Sequence, residues 1–214
     1  MHLELTRQVR RLSVWSGVLT ASAWGFTRYR AWHLRWGATD AEVAAPMPGD
    51  DLLSGVAFCA TRALTIDAPP SAVWPWLVQV GFGRAGFYSY DWADNLGRPS
   101  ARLLLPEYQS PRPGDVAAPM AEPADDRTAF RVVTAEQPHV LVWAKPDSTW
   151  AWQLTEDGGR TRLVTRLKAM YQPGRFLPIT VLLMEIGDFP MMRRMFRGLA
   201  ARAEATSRLG RQET

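Results

Sequence analysis

The sequence has few residues of the kinds that cross-link chains or bind metals. Cys59 is the only cysteine, and the three histidines are His2, His33 and His139. One thiol excludes an internal disulfide and a cysteine-based zinc site, and no two histidines stand four residues apart, as one face of a helix would need to bind a metal. We therefore predict no metal and no cofactor, and a chain made in a reducing compartment, the cytoplasm.

Familiar catalytic motifs are absent as well. There is no G-x-S-x-G, no P-loop and no H-E-x-x-H. A formal G-x-G-x-x-G runs from Gly81 to Gly86, but a dinucleotide site needs a strand before it and a helix after it. A helical pattern precedes these glycines, so they predict a tight turn rather than a nucleotide site.

The composition is that of a globular protein, with 47% hydrophobic and 21% charged residues. Ten tryptophans indicate an aromatic-lined concavity or a membrane-interface belt. The net charge of +4 is unevenly placed, because residues 1–36 hold six Arg and one Glu, residues 193–214 hold six Arg and two Glu, and residues 37–192 are acidic overall. A nucleic-acid binder would have its basic patch on the folded domain, so we exclude that class.

The N-terminal part contains a charge-free stretch of sixteen residues, Leu12–Thr27. As a helix it would be about 24 Å long, against about 30 Å for a hydrocarbon core. Three interpretations stay open: a short membrane anchor, an interfacial amphipathic helix, and a helix packed on the domain. We predict an N-terminal segment over 1–36, a linker rich in Pro and Gly over 37–57, a ligand-binding domain over 58–208 and a tail over 209–214.

Hydrophobic periodicity predicts an α+β domain. A two-residue period indicates strands, and the four-strand run after residue 130 indicates consecutive hairpins and an antiparallel sheet. Apolar residues at helical spacing indicate a short helix and a long C-terminal one. We expect the basic face of the last strand, with Arg162, Arg166 and Lys168, to meet solvent. The predicted strands are Phe58–Ile66, Phe130–Ala135, Val140–Lys145, Trp150–Thr155 and Thr161–Tyr171, and the helices are Ser71–Val80 and Asp188–Arg208.

Aromatic side chains concentrate in two places that fit a binding cavity. The segment Phe87–Asn95 combines aromatic rings with carboxylates, which suits a short core helix as well as a pocket wall. On the predicted sheet, tryptophans share one strand face and suit either a filled core or a wide apolar cavity. The candidate ligand-binding residues are Tyr88, Tyr90, Asp91, Trp92, Trp143, Trp150, Trp152 and Met192.

Four runs of sequence resemble one family. They are Ala60–Gly81, Gly83–Asp91, Trp32–Asp40 and Gly187–Met195, and together they are similar to bacterial SRPBCC proteins, the START-like or polyketide-cyclase type. The resemblance implies a helix-grip fold: a curved antiparallel sheet wrapped around a long C-terminal helix, with an apolar cavity between them and a short apolar helix at the N-terminus. It implies no particular reaction.

Three functions follow as hypotheses. The first is binding or carriage of a hydrophobic small molecule, such as a lipid, a polyketide or an isoprenoid-like compound. The second is an enzyme of the cyclase, dehydratase or hydrolase type, in which Tyr88, Tyr90 or Asp91 acts on a bound carbonyl compound. The third is a ligand-responsive interaction module. The sequence sets neither the identity of the ligand nor the oligomeric state.

Overall fold

The structure, a computed structural model, describes residues 20–212, and the chain divides into two compact units, Met1–Leu34 and Arg35–Thr214. In the first unit, helix α1 covers 20–33, and the Thr27 hydroxyl donates to the Trp24 carbonyl at 2.8 Å. Residues 12–19 of the predicted apolar segment lie outside the described residues. Among residues 20–212, no helix has both the length and the hydropathy needed to cross a bilayer.

The second unit is built on a six-stranded antiparallel sheet with the order β1-β6-β5-β4-β3-β2. Strands β3 to β6 follow one another as hairpins. The β5–β6 turn consists of Gly158 and Gly159, whose φ angles of 58° and 81° are the left-handed values that a two-residue hairpin turn requires. The strands are β1 Phe58–Ile66, β2 Val116–Ala117, β3 Phe130–Glu136, β4 Val140–Lys145, β5 Ser148–Asp157 and β6 Arg160–Ala169.

Helices surround this sheet, and the largest of them lies across its inner face. Phe196 of that helix packs against Trp152 of β5, with ring centroids 5.9 Å apart, and Leu163 of β6 is fully buried nearby in the sheet. The helices of this unit are α2 Asp40–Ala44, α3 Pro70–Val78, α4 Asp91–Asp94, α5 Leu177–Leu182, a π-helix Leu183–Gly187, and α6 Asp188–Gln212, with a 3₁₀ turn at Pro106–Tyr108. The predicted α+β class and helix-grip fold, the one the SRPBCC resemblance implies, are confirmed.

The positions of the predicted elements are also confirmed in large part. Strands β1 and β4 have the predicted bounds, and β3, β5 and β6 differ from prediction by one to two residues at their ends. The predicted turn at Gly81–Gly86 is confirmed, since these two residues exchange backbone hydrogen bonds of 3.1 and 3.0 Å. The elements that the periodicity did not predict are the short ones: β2, α2, α4 and α5.

The outer face of the sheet is covered by residues 37–53, which the sequence suggested were a linker. Thr39 caps α2 in a capping box with Glu42. Apolar side chains continue the contact beyond this helix, because the buried Met47 packs with small and β-branched residues on the sheet. These are Ala63 of β1, Val142 of β4, Ala151 of β5 and Val164 of β6.

The expectation that the basic face of β6 meets solvent is wrong. Arg166 is 6% exposed and donates to the Asp50 carboxylate at 2.6 Å, and the Lys168 ammonium donates to the Asp50 carbonyl, also at 2.6 Å. Arg162 donates to both oxygens of Glu42 at 2.8 Å. The covering segment, residues 37–53, therefore supplies the carboxylates that let three cations lie on a covered sheet face.

Candidate functional site

A cavity of about 760 Å³ lies between the inner face of the sheet and the helices of the C-terminal region. The sheet contributes residues of β3 to β6, because alternate side chains of each strand point to this side. Residues from the segments 82–98 and 120–122 line further parts of its wall. A volume of this size is in the range of sites that enclose most of a small organic ligand.

Methionines form a large part of the cavity wall. The chain has eight methionines, and six of them line this cavity. Their side chains are unbranched and polarizable, so together they make a wall that is apolar and can change shape. The six are Met120, Met170, Met184, Met191, Met192 and Met195.

The sheet side of the cavity is aromatic, with a group of packed rings side by side on the inner face of the sheet. Trp150 lines the cavity, together with Phe130, whose ring centroid is 5.8 Å away. Trp143 and Trp152 pack against Trp150 at 5.5 and 4.8 Å, and both are fully buried. The Trp150 indole N–H donates to Thr165 Oγ1 at 3.0 Å, which fixes the ring against the sheet.

A buried ion pair contributes one of its two residues, Asp188, to the cavity wall. Arg62 of β1 is 1% exposed and donates to the Asp188 carboxylate at 2.6 Å. Asp188, the first residue of α6, lines the cavity. Burial raises the pKa of Asp188, while the Arg62 guanidinium acts in the opposite direction. Arg62 also lies over the Phe189 ring at 5.3 Å, so this cation is enclosed by a carboxylate and an aromatic face.

A second polar group lies at the β4–β5 hairpin. The Lys145 ammonium and the Ser148 hydroxyl both donate to the Asp147 carboxylate, and all three residues line the cavity. Nearby, the Tyr171 hydroxyl donates to the buried Glu185 carboxylate at 3.0 Å. These polar groups are already paired, so they can accept or donate a further bond to a ligand without being left unsatisfied before it binds.

Asp94 is the exception among the cavity carboxylates in the described part of the chain. It lines the cavity, and neither of its carboxylate oxygens, both of them buried, has a hydrogen-bond partner among residues 20–212. The neighbouring Ser89 hydroxyl donates to the Met191 carbonyl instead, at 3.0 Å. Burial raises the pKa of Asp94, and the proximity of Ser89 offsets this only in part. A carboxyl group in this setting holds its proton more tightly than one in water.

The eight candidate residues predicted from the sequence are not all brought together. Trp150 and Met192 line the cavity. Trp143 and Trp152 lie beside Trp150 on the same face of the sheet and do not line this cavity, and Trp143 borders a separate pocket of about 310 Å³.

Tyr88 lies in the core rather than at the cavity. Its hydroxyl donates to the Trp76 carbonyl at 3.0 Å and accepts from the Gln79 amide at 2.9 Å. The Arg202 guanidinium lies over its ring at 4.3 Å. Burial raises the pKa of Tyr88 to about 12, so the hydroxyl stays protonated and fully used within the fold.

The remaining three candidates, Tyr90, Asp91 and Trp92, follow Tyr88 in the chain and do not line the cavity. The Asp91 carboxylate accepts from the Ser100 amide at 3.1 Å and from the Ser100 hydroxyl at 2.5 Å, which holds the loop closed. Tyr90 is 39% exposed and Trp92 is 78% exposed, with their rings 6.3 Å apart. The sequence showed that this segment is aromatic, but it gave no indication of which side chains face inward.

Residues 20–212 contain no group of three His, Cys, Asp or Glu side chains that could hold a metal ion. The cavity wall combines apolar side chains and the ring of Trp150 with polar groups at several places: the Lys145–Asp147–Ser148 group, Asp94, Asp188, Tyr171 and the Arg98–Glu122 ion pair. The candidate list from the sequence included none of these polar residues, although the segment Phe87–Asn95, interpreted as a core helix or a pocket wall, contains Asp94. Lys145, Asp147 and Ser148 lie where β4 ends and β5 begins, and this position could have indicated them.

Comparison with known proteins gives similarity at the level of solved structures. The chain is 17% identical to protein MLL2253 from Mesorhizobium loti (68% of this chain, 98% of that chain, TM-score 0.37). It is 16% identical to the Polyketide_cyc-like protein Cgl2372 from Corynebacterium glutamicum (72% and 92%, TM-score 0.34). It is 19% identical to CalU16 from Micromonospora echinospora (69% and 84%, TM-score 0.32). No protein-family model and no curated protein sequence matches. These similarities transfer no activity to this chain.

Proposed function

We propose that this protein binds an apolar small molecule in the cavity between its sheet and its C-terminal helices. The observation that carries the proposal is the cavity itself: about 760 Å³, with six methionines and Trp150 in its wall. The side chains that line an unfilled apolar concavity of this size have fewer contacts than those of a packed core. A ligand that fills it regains the lost dispersion contacts.

The wall also indicates what kind of molecule fits. Long aliphatic and fused-ring skeletons suit methionine side chains, and a planar or unsaturated portion suits the face of Trp150. The Lys145–Asp147–Ser148 group would receive a polar end such as a hydroxyl, carbonyl or carboxylate. This description favours a lipid, polyketide or isoprenoid-like ligand with one polar end.

The direct test is to identify what the protein carries. Native mass spectrometry of the purified full-length chain should show a mass increment, and solvent extraction should release the molecule for identification. If none is found, the protein should be titrated with fatty acids, isoprenoid alcohols and polycyclic aromatic compounds while tryptophan fluorescence is recorded. No mass increment together with no fluorescence or thermal shift in any titration would refute the proposal.

A cavity-filling variant ties binding to this site. Ala169→Phe adds a ring to a residue that lines the cavity on β6, so it should abolish the fluorescence response to a ligand found above. Val133→Phe is the control, because Val133 is 37% exposed on β3 and does not line the cavity. Equal binding by both variants would place the ligand elsewhere.

A second function, catalysis on the bound molecule, is favoured by one residue. Asp94 is a cavity carboxyl whose pKa is raised by burial, and a carboxyl group perturbed in this way is suited to general acid or base catalysis. Tyr88 and Asp91, considered for this role from the sequence, already have hydrogen-bond partners in the fold. The chemistry would be proton transfer at a carbonyl compound, as in a cyclisation or a dehydration.

This alternative is separated from simple carriage by following the bound compound over time. A carrier returns the molecule unchanged, whereas an enzyme converts it. Asp94→Asn should then remove conversion and leave the fluorescence-detected binding within a few-fold of the original. Conversion by the Asn variant at an unchanged rate would exclude Asp94 as the acid or base.

A further inference from the structure

The helical segment before α6 presents an apolar stripe to the outside of the domain. Ile179, Leu182, Leu183 and Ile186 stand at i, i+3, i+4 and i+7, the spacing that normally faces a core. Here they are 56%, 57%, 59% and 45% exposed. Phe176, just before the segment, is 59% exposed.

This exposure differs from the scattered apolar residues of an ordinary surface. Single exposed leucines need no explanation, but a contiguous apolar patch on one helix face marks an interaction site. The opposite side of the same segment faces the cavity, since Thr180 and Met184 line it. The segment thus separates the cavity from whatever covers the stripe.

The charges around the stripe are of one sign. Between residues 172 and 203 the acidic residues are Glu185 and Asp188, and both are turned inward: Glu185 to Tyr171 and Asp188 to Arg62. Arg175 stands at the start of the segment, with its guanidinium 4.5 Å from the ring of Phe176.

Beyond the π-helix, the exposed positions of α6 continue as Pro190, Arg194 and Arg197. The surface is therefore apolar over about two helical turns and basic at both ends. An apolar strip with flanking arginines matches the boundary of a lipid bilayer, where hydrocarbon lies below anionic phosphate groups.

We infer that the surface formed by Phe176, Ile179, Leu182, Leu183 and Ile186 docks on an anionic lipid bilayer, with Arg175 and Arg194 at the level of the phosphates. Docking places the wall formed by Thr180 and Met184 next to the membrane. This inference goes beyond ligand binding, and it involves a surface that the cavity variants do not touch.

The test uses a position-specific fluorescent probe on the full chain. Cys59 is replaced by Ser, Leu183 by Cys, and the new thiol is labelled with an environment-sensitive dye. The matched control carries Leu209→Cys instead, since Leu209 is 64% exposed near the end of α6. Vesicles of equal phosphatidylglycerol and phosphatidylcholine should shift the emission of the dye at 183 to the blue and leave that at 209 unchanged. Arg194→Ser should lower the partition coefficient of the protein between these vesicles and water about five-fold.

Three results would overturn the inference. The first is no shift at 183 with vesicles. The second is a blue emission at 183 without vesicles that grows with protein concentration, which would assign the surface to a second copy. The third is a blue emission without vesicles that is independent of concentration, which would assign it to another segment of the same chain. Because the probe reports on one position, membrane binding through the N-terminal segment cannot produce the expected pattern.

Discussion

Replacement of Glu42 by Gln should lower the free energy of unfolding by about 2 kcal/mol at pH 7. Glu42 joins the covering segment to the sheet through two bonds of 2.8 Å from Arg162, and within the segment it accepts a bond of 2.7 Å from the Thr39 amide. These bonds lower the pKa of Glu42 from 4.5 to about 2, with the Arg162 hydrogen bond as the largest cause. That difference corresponds to about 3 kcal/mol, and partial exposure of the carboxylate reduces it to about 2 kcal/mol.

The contribution of Glu42 to stability should depend on pH in a direction that follows from its lowered pKa. A carboxylate whose folded-state pKa is below its unfolded value stabilises the fold fully above pH 4.5, and the contribution disappears as the pH falls towards 2. The Glu42→Gln variant lacks this titration. The difference in stability between the two proteins should therefore be greatest at neutral pH and should shrink steadily between pH 5 and pH 3.

Urea denaturation and thermal unfolding, each followed by circular dichroism, measure both effects. For a chain of this size, 2 kcal/mol corresponds to a Tm lower by about 6 °C. Asp157→Asn is the control, because it breaks an ion pair with Arg160 whose side chains are 61% and 51% exposed, and it should cost less than about 0.5 kcal/mol. An unchanged Tm for Glu42→Gln, or a stability difference that does not depend on pH, would refute this account of the covering segment.

Three further substitutions test the interior. Arg62→Met should cost about 3 kcal/mol in urea denaturation, because the mostly buried Asp188 carboxylate loses its charged partner at 2.6 Å, and adding Asp188→Asn should recover part of the loss; no recovery in the double variant would contradict this. Gly198→Ala should lower the free energy of unfolding by about 2 kcal/mol, because the added Cβ would lie 2.2 Å from the Tyr88 carbonyl oxygen. Gly210→Ala, with open space around it, should raise the free energy of unfolding by up to about 1 kcal/mol. Equal Tm changes for the two variants would contradict this. Asp94→Asn should raise the Tm at pH 7 and leave it unchanged near pH 3, because a raised folded-state pKa makes ionisation of Asp94 destabilising as the pH rises; a lower Tm at pH 7 would contradict the assignment.

The sheet and the long helix could be predicted because each follows a single strong pattern. The alternation of apolar and basic side chains in Arg160–Ala169 and the apolar spacing that begins at Asp188 depend on neighbours in sequence. The covering segment could not be predicted in this way, because α2 has five residues and its contacts with Arg162 and Arg166 span more than one hundred positions. Its Pro and Gly residues are typical of linkers, and only the opposite charges on β6 could have indicated otherwise.

The cavity was predicted in kind but not in detail. A strand pattern tells which residues share a face, so Trp150 and Trp152 were placed together correctly. It does not tell which of them borders empty space, since that depends on how far α6 stands from the sheet. Asp94 lies in the segment Phe87–Asn95, whose carboxylates were noted, but Asp91 was selected as the candidate instead, because in a four-residue helix no periodicity shows which side is buried.

The six methionines of the cavity wall have a consequence for selectivity. A thioether side chain has three rotatable bonds and no branch, so each can adopt several rotamers of similar energy around a guest. A wall made of such groups does not fix the shape of the cavity, whereas branched or ring-shaped side chains would fix it. Molecules of different shape but similar size and hydrophobicity would then bind with similar affinity, and discrimination among them would fall to the few fixed polar atoms at Lys145, Asp147 and Ser148.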